Sequence, residues 1–484
     1  MTQKYEPVIG LEIHAELITA SKMFCSCSAD YASAPDANTN ICPVCTALPG
    51  AMPVINKKAV EQAILVGMAL NCSINLLNNF ARKNYFYPDL PKGYQISQYE
   101  LPIAANGWID VPADSGDGQQ HIHIRRAHLE EDTAKTFHRG EYALIDYNRA
   151  GVPLLEIVTE PDMHTVEAAL AYATKIRAIL RTLGVNSGDM EKGVLRFEAN
   201  VSVRPIESDQ LRTRTEIKNL NSFRALTRAS TYEIQRQIAL YESGKDVMQE
   251  TLGWDEARGV TVSQRSKEHA HDYRYFPEPD LPPLELSQSY VESFRAHLPE
   301  LPDAKTERFI REYGLKPQDA TLLASEKSLA EYFESVVAQT RDSAKTVSNW
   351  VTGELLHQVN ELSLSVDAIP VPAAQLAELI NLVFDKLING NTAKSVLIEM
   401  FKSGRAPKEI VESAGLSQIS DEGYLKEVVA KIVADNPKEV ASYLGGKETL
   451  TQWFMGQVAR VTKGKADPQA ARELLVEALE KSRK

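Results

Sequence analysis

Along the first 285 or so residues, apolar and polar positions alternate in short runs interrupted by long helical patterns, and beyond them the chain reads as almost wholly helical. In residues 11–17 a period of two sets Glu12, His14 and Glu16 opposite Leu11, Ile13 and Leu17, as expected of a strand with one face on a core. Residues 195–203 alternate strictly, with Arg196, Glu198, Asn200 and Ser202 on one face, and Thr215-Glu216-Ile217-Lys218 repeats the habit. Residues 154–158 are apolar enough to be buried on both sides, yet they carry Glu156. Helical periods over 166–183 and 222–243, each followed by Gly, predict two long helices covering the other face of the sheet. The proline cluster Pro277, Pro279, Pro282 and Pro283 can neither continue a helix nor donate to a central strand, so it is read as the first domain joint. The pattern predicts an α+β protein: a mixed β-sheet domain with covering helices over 1–292, an all-α helical domain over 293–406, and a small α-helical tail over 407–484.

Composition narrows the function classes. The chain has 484 residues, 43% apolar and 24% charged, too long for one core and ordinary enough for two or three globular domains. No apolar run approaches the roughly 18 residues of a membrane span, and residues 1–7 lack a secretory pattern, so a cytoplasmic protein is expected. The net charge of −12 argues against a protein that coats nucleic acid, because that affinity comes from Lys and Arg neutralising phosphates. Four of the five cysteines fall in the first 45 residues, as Cys25-x-Cys27 and Cys42-Pro-Val-Cys45. That spacing in a cytosolic chain reads as a closed structural zinc site, the segment between the pairs being too polar to be ordered by burial. Cys72, at the end of an apolar helical stretch, is expected in the core.

The acids carry the candidate chemistry. His128-Leu129-Glu130-Glu131-Asp132 follows the basic pair Arg125-Arg126, and acids so dense repel one another unless they are solvated or share a cation. With Glu156 inside an apolar strand, they point to a hard cation, magnesium or manganese, and so to phosphoryl transfer. The usual phosphate loops G-x-x-x-x-G-K-[ST] and G-x-G-x-x-G are absent. Nucleotide contacts must therefore come from side chains. The segment 82–95, with Arg82, Lys83, Tyr85, Tyr87, Lys92 and Tyr94, interleaves cations and aromatics as base stacking and phosphate contact require, and 269–276 has the same character.

Longer motifs bring a family into view. VIGLEIHAEL (8–17), RKNYFYPDLPKGYQISQ (82–98), HLEEDTAK (128–135), DYNRAGVPLLEIVTEP (146–161), EIKNLNSF (216–223), HDYRYFPEPDLPP (271–283) and the tail stretch GQVARVTKGKADPQAAREL (456–474) resemble the B subunit of aspartyl/glutamyl-tRNA amidotransferase, the GatB family, from end to end. The resemblance implies an ATP-dependent ligase. It forms an acyl phosphate on the free carboxylate of Glu-tRNA(Gln) or Asp-tRNA(Asn), and ammonia then displaces the phosphate to give Gln-tRNA or Asn-tRNA.

It further implies a cradle-shaped first domain with magnesium held by Glu12, His14, Glu131 and Glu156, and Lys83 or Lys218 adding fixed positive charge. Glu130, Asp132 and Glu216 would hold metal-bound water or orient His14. An amidase-type A subunit would supply ammonia through a polar path past Glu198, Asn200, Thr215 and Lys218, and a small C subunit would complete a heterotrimer. No activated nucleophile for a glutaminase is evident in this chain. The four cysteines imply zinc. Arg460, Lys463 and Lys465, a basic cluster in the tail, are expected to contact tRNA. The alternative is a zinc-stapled tRNA-binding scaffold that performs no chemistry; Glu156 within an apolar strand speaks against it.

Overall fold

The structure is a computed structural model describing residues 4–113, 118–266, 273–416, 422–447, 449–462 and 466–482. The chain divides into two compact units, Met1–Pro302 and Asp303–Lys484. A twelve-stranded sheet forms the first among the described residues. Its centre is the strand Tyr5–Glu16, antiparallel to Pro153–Thr159 on one side and Leu195–Pro205 on the other. Beyond Pro153–Thr159 lie Gln119–Glu131, Tyr94–Ser97, Ala81–Asn84 and Phe276–Pro277; beyond Leu195–Pro205 lie Thr215–Leu220, Glu250–Asp255 and Val260–Ser266. The pairing of Thr215–Leu220 with Glu250–Asp255 is parallel, which makes the sheet mixed.

The alternation seen in the sequence becomes two faces of this sheet. Ile9, Leu11 and Ile13 share a core with Tyr172 and Ile176 of the helix Val166–Thr182 and with Leu226 and Ala229 of the helix Phe223–Glu242. Each such buried side chain contributes ~1.5–3 kcal/mol, so the apolar set fixes which way the strands turn their acids. Both helices start on a side-chain cap, Thr165 accepting from the Ala168 amide and Ser222 from the Ala225 amide. Both end at a glycine with positive φ, Gly184 and Gly244.

The proline cluster is not the end of this unit. Phe276–Pro277 pairs with Ala81–Arg82 as an edge strand, where a missing amide donor costs nothing, and the chain stays with the unit to Pro302. Tyr290, Phe294, Leu298 and Leu301 pack on the same core. The second unit contains two separate hydrophobic cores. One is built around Phe309, Phe333, Leu355 and Leu379, the other around Leu425, Phe454, Leu475 and Leu479. No helix among the described residues is long and apolar enough to cross a membrane.

Candidate active site

Strand register builds the site. His14 stands directly opposite Glu156, and Glu156 opposite His128, so three neighbouring strands place these side chains in one row on the polar face. Glu130, two residues along from His128, joins them from the same face. His14 Nε2 lies 3.2 Å from Glu156 Oε2 and 4.0 Å from Glu130 Oε1, and His128 Nε2 lies 3.8 Å from each carboxylate. His14, Glu130 and Glu156 can thus offer ligand atoms to one ion. Lys83, on Ala81–Asn84, brings its ammonium into the field of Glu130 and Glu156 and lies 5.3 Å from the ring of Tyr273.

Burial works against the charge on His14, but the hydrogen bond to Glu156 and the carboxylates of Glu156, Glu198 and Glu130 outweigh it and raise its pKa to about 9. Burial likewise penalises Glu156, yet His128, His14 and Lys83 hold its carboxyl well below the ordinary range.

A second cluster lies two residues back along the central strand. Glu12, Glu198 and Glu216 also converge closely enough to share an ion. Burial first, then the neighbouring carboxylates of Glu156, Glu198 and Glu216, raises the pKa of Glu12. Asn200 donates to Glu12 Oε1 (2.9 Å), Lys218 Nζ lies 3.0 Å from Glu198 Oε2 and 3.4 Å from Glu216 Oε1, and Thr251 donates to Glu216 Oε2 (3.0 Å). Glu16, the third polar residue of that strand, belongs to an ion network with Arg196, Asp132 and Tyr31.

The structure separates residues expected to act together. One step along the pleat turns Glu131 to the opposite face from Glu130, where it accepts from the Ile96 amide (3.0 Å) and pairs with Lys92. Glu130, expected to support, stands with His14 and Glu156, and Glu12 stands with Glu198 and Glu216. Thr215 faces the helices, donating to Glu233 (2.8 Å), and so does not line a path with Glu198, Asn200 and Lys218.

Of the six residues expected to hold nucleotide, Arg82 is held bidentate by Glu278 (2.7 and 2.8 Å) and lies over the ring of Tyr94 at 4.3 Å. Lys92 is occupied by Glu131, and Tyr87 is exposed at the surface. Lys83 and Tyr85 remain at the site; Tyr85 meets Tyr273 edge-on at 6.0 Å. Glu198 and Glu216 had a sequence signal, namely their places on polar strand faces, but nothing along the chain showed that they meet Glu12.

Cys25, Cys27, Cys42 and Cys45 converge as their spacing predicts. Cys45 Sγ lies 3.5, 3.8 and 3.6 Å from the other three sulfurs, close to the edge of about 3.8 Å of a tetrahedron with Zn–S near 2.3 Å. The hydrogen bond from Cys25 and the ammonium of Lys22, at 3.7 Å, bring the Cys45 thiol down to about 4 against the cost of burial. This chemistry suits a thiophilic ion such as zinc. Cys72 is half-buried beside the core rather than within it, and burial pushes its thiol up to about 12.

In the tail, Arg460 is exposed in the last turn of Leu450–Val461, whereas Lys463 and Lys465 lie outside the described residues.

Two family descriptions match the chain: the GatB/GatE catalytic domain over residues 7–292 and the GatB domain over 331–479. The chain belongs to the GatB family. Proteins named as the B subunit of aspartyl/glutamyl-tRNA(Asn/Gln) amidotransferase are similar along their whole length. That of Caldanaerobacter subterraneus subsp. tengcongensis is 50% identical over 479 residues, covering 99% of this chain and 100% of the relative. That of Thermodesulfovibrio yellowstonii is 50% identical over 477 residues (98% and 99%), and that of Persephonella marina 46% over 476 (98% and 100%). By their names, each of these relatives is one subunit of a tRNA amidotransferase. The two acidic clusters and the four-cysteine cluster all lie within the stretch matched by the GatB/GatE catalytic domain.

Proposed function

We propose that this chain uses ATP to activate the side-chain carboxylate of Glu-tRNA(Gln) or Asp-tRNA(Asn) and then amidates it. A carboxylate oxygen attacks the γ-phosphorus and ADP departs. Ammonia then attacks the acyl carbon, the C–O bond to phosphate breaks, and a proton is lost as the amide forms. The observation that carries this reading is the buried meeting of His14, Glu130 and Glu156 under Lys83, with Glu12, Glu198 and Glu216 one strand step away. These side chains would hold magnesium, which would neutralise charge on the transferred phosphoryl group. The fit rests on the carboxylates' mutual repulsion at Glu12 and on a Glu130 oxygen left without a hydrogen-bond partner.

Lys83 sets a fixed positive charge at one cluster and Lys218 at the other, and each would favour charge developing on phosphate oxygens nearby. The ammonia source in this reading is an amidase-type partner, with a small third subunit completing the complex; Glu198, Asn200 and Lys218 would border its path. Zinc held by Cys25, Cys27, Cys42 and Cys45 would serve structure.

The test uses the assembled complex, misacylated tRNA and γ-labelled ATP. Glu156→Gln and Glu130→Gln are expected to lower acyl-phosphate formation by roughly 10²-fold or more. Formation at the unaltered rate in both would end the catalytic reading and favour a tRNA-presenting scaffold.

A further inference from the structure

Beside the acidic cluster stands a set of aromatic rings that the reaction above does not use. Tyr99 and Tyr275 stack with centroids 4.1 Å apart and planes 11° from parallel, and Tyr273 meets Tyr275 edge-on at 6.0 Å. Tyr99 is 44% exposed, so the stack stands at the surface of the site and not in the core. Tyr275 lies within the electrostatic reach of Lys83, Glu130, Glu156 and Arg126, which ties it to the reaction centre.

Arg126 shares the pleat face of His128 and Glu130, and its guanidinium lies 5.4 Å over the ring of Tyr99. Its Nε is buried without a hydrogen-bond partner, and among the described residues no carboxylate pairs with it. A half-buried guanidinium lacking an anion is costly unless a ligand brings one. Stacked tyrosines offer a flat apolar face to a planar base, and an arginine offers its fork to a phosphate.

We propose that Tyr99, Tyr275 and Arg126 form the seat of an adenine nucleotide, the rings taking the base and the guanidinium a phosphate, next to the cation clusters. This rests on the phosphoryl-transfer reading and deepens it. Two ligands of that reaction carry such a group: ATP, and the 3′-terminal adenosine of the tRNA acceptor end.

The experiment measures binding without turnover, in the full complex. Mg·ATP affinity is read by equilibrium dialysis, and tRNA affinity by filter binding with tRNA ending in CCA or trimmed to CC. Tyr99→Ala, Tyr275→Ala and Arg126→Met are each expected to cost roughly tenfold in one of these affinities, while Tyr275→Phe keeps it, because stacking needs the ring and not the hydroxyl.

Weakened ATP binding with both tRNAs unchanged assigns the seat to ATP. Weakened binding of the CCA form alone, down to the level of the CC form, assigns it to the terminal adenosine. Unaltered binding of CC-ended tRNA reports that each variant is folded. The proposal is overturned if both affinities stay at their original values, or if Tyr275→Phe is as damaging as Tyr275→Ala. That outcome leaves the Glu156 and Glu130 assay untouched, so the two readings fail separately.

Discussion

Glu130 and Glu131 are the same residue type in adjacent positions, and the pleat gives them opposite surroundings. Glu130 faces the histidines, whereas Glu131 is a buried acid neutralised by Lys92. Removing one partner of a buried pair strands the other, so Lys92→Met is expected to cost about 3 kcal/mol of stability, read as a lower urea midpoint for the first unit. By the same geometry Glu131→Gln should lower stability while leaving phosphoryl transfer within a few-fold; an activity loss equal to that of Glu130→Gln would contradict the assignment of faces.

His14 carries a pH dependence. Its pKa is raised from 6.5 to about 9, so in the metal-free protein its stabilising contribution is complete below pH 6.5 and is lost as pH climbs through about 9. A cation needs the neutral imidazole, so binding must expel that proton and affinity must rise with pH up to about 9. Calorimetry of magnesium binding at pH 7.5 in buffers of different ionisation enthalpy is expected to show proton release, and none would refute it. The presence of a histidine among acids was legible in HAE and HLEED. Which acids reach it was not, because that depends on register between strands far apart in sequence.

At the scale of elements, a short hydrogen-bonded path joins the cysteine loop to the acid-bearing strand. The Lys22 amide donates to Cys27 O (2.9 Å), Met23 to Gly151 O (2.7 Å) and Gly151 to Asp132 O (3.0 Å). Gly151 has φ +87°, a conformation that suits glycine. The buried ammonium of Lys22 lies beside Cys45 and favours its thiolate. Metal analysis is therefore expected to find about one zinc per chain. Cys45→Ser should lose it and speed amide exchange at residues 22–27 while exchange in Tyr5–Glu16 stays slow; equal protection in both segments would show that the loop needs no metal. The cysteine site was legible because its ligands are close in sequence and four thiols have few other uses. The cation clusters draw on several strands, and alternation reveals a strand's polar face but not its neighbour.

For the whole molecule, the charge that argued against nucleic acid is unevenly placed. Residues 408–484 hold 12 Lys+Arg and 12 Asp+Glu, so the net −12 belongs to the rest of the chain, where acids gather on the sheet's polar face. Contact with tRNA then suits the tail, and replacing Arg460, Lys463 and Lys465 by Ala should weaken tRNA binding and flatten its salt dependence while Mg·ATP binding holds. An unchanged salt slope would count against this.

Periodicity, cysteine spacing and motif length were sufficient for the α+β class, the metal-suited thiols, the family and the acid-rich strands, because each is a local property of the chain. Only the fold decided that Glu130 stands beside His14 and Glu156 while Glu131 pairs with Lys92, and that Glu12 meets Glu198 and Glu216. Those outcomes follow from strand order and register, which are set by the simultaneous burial of residues more than a hundred positions apart.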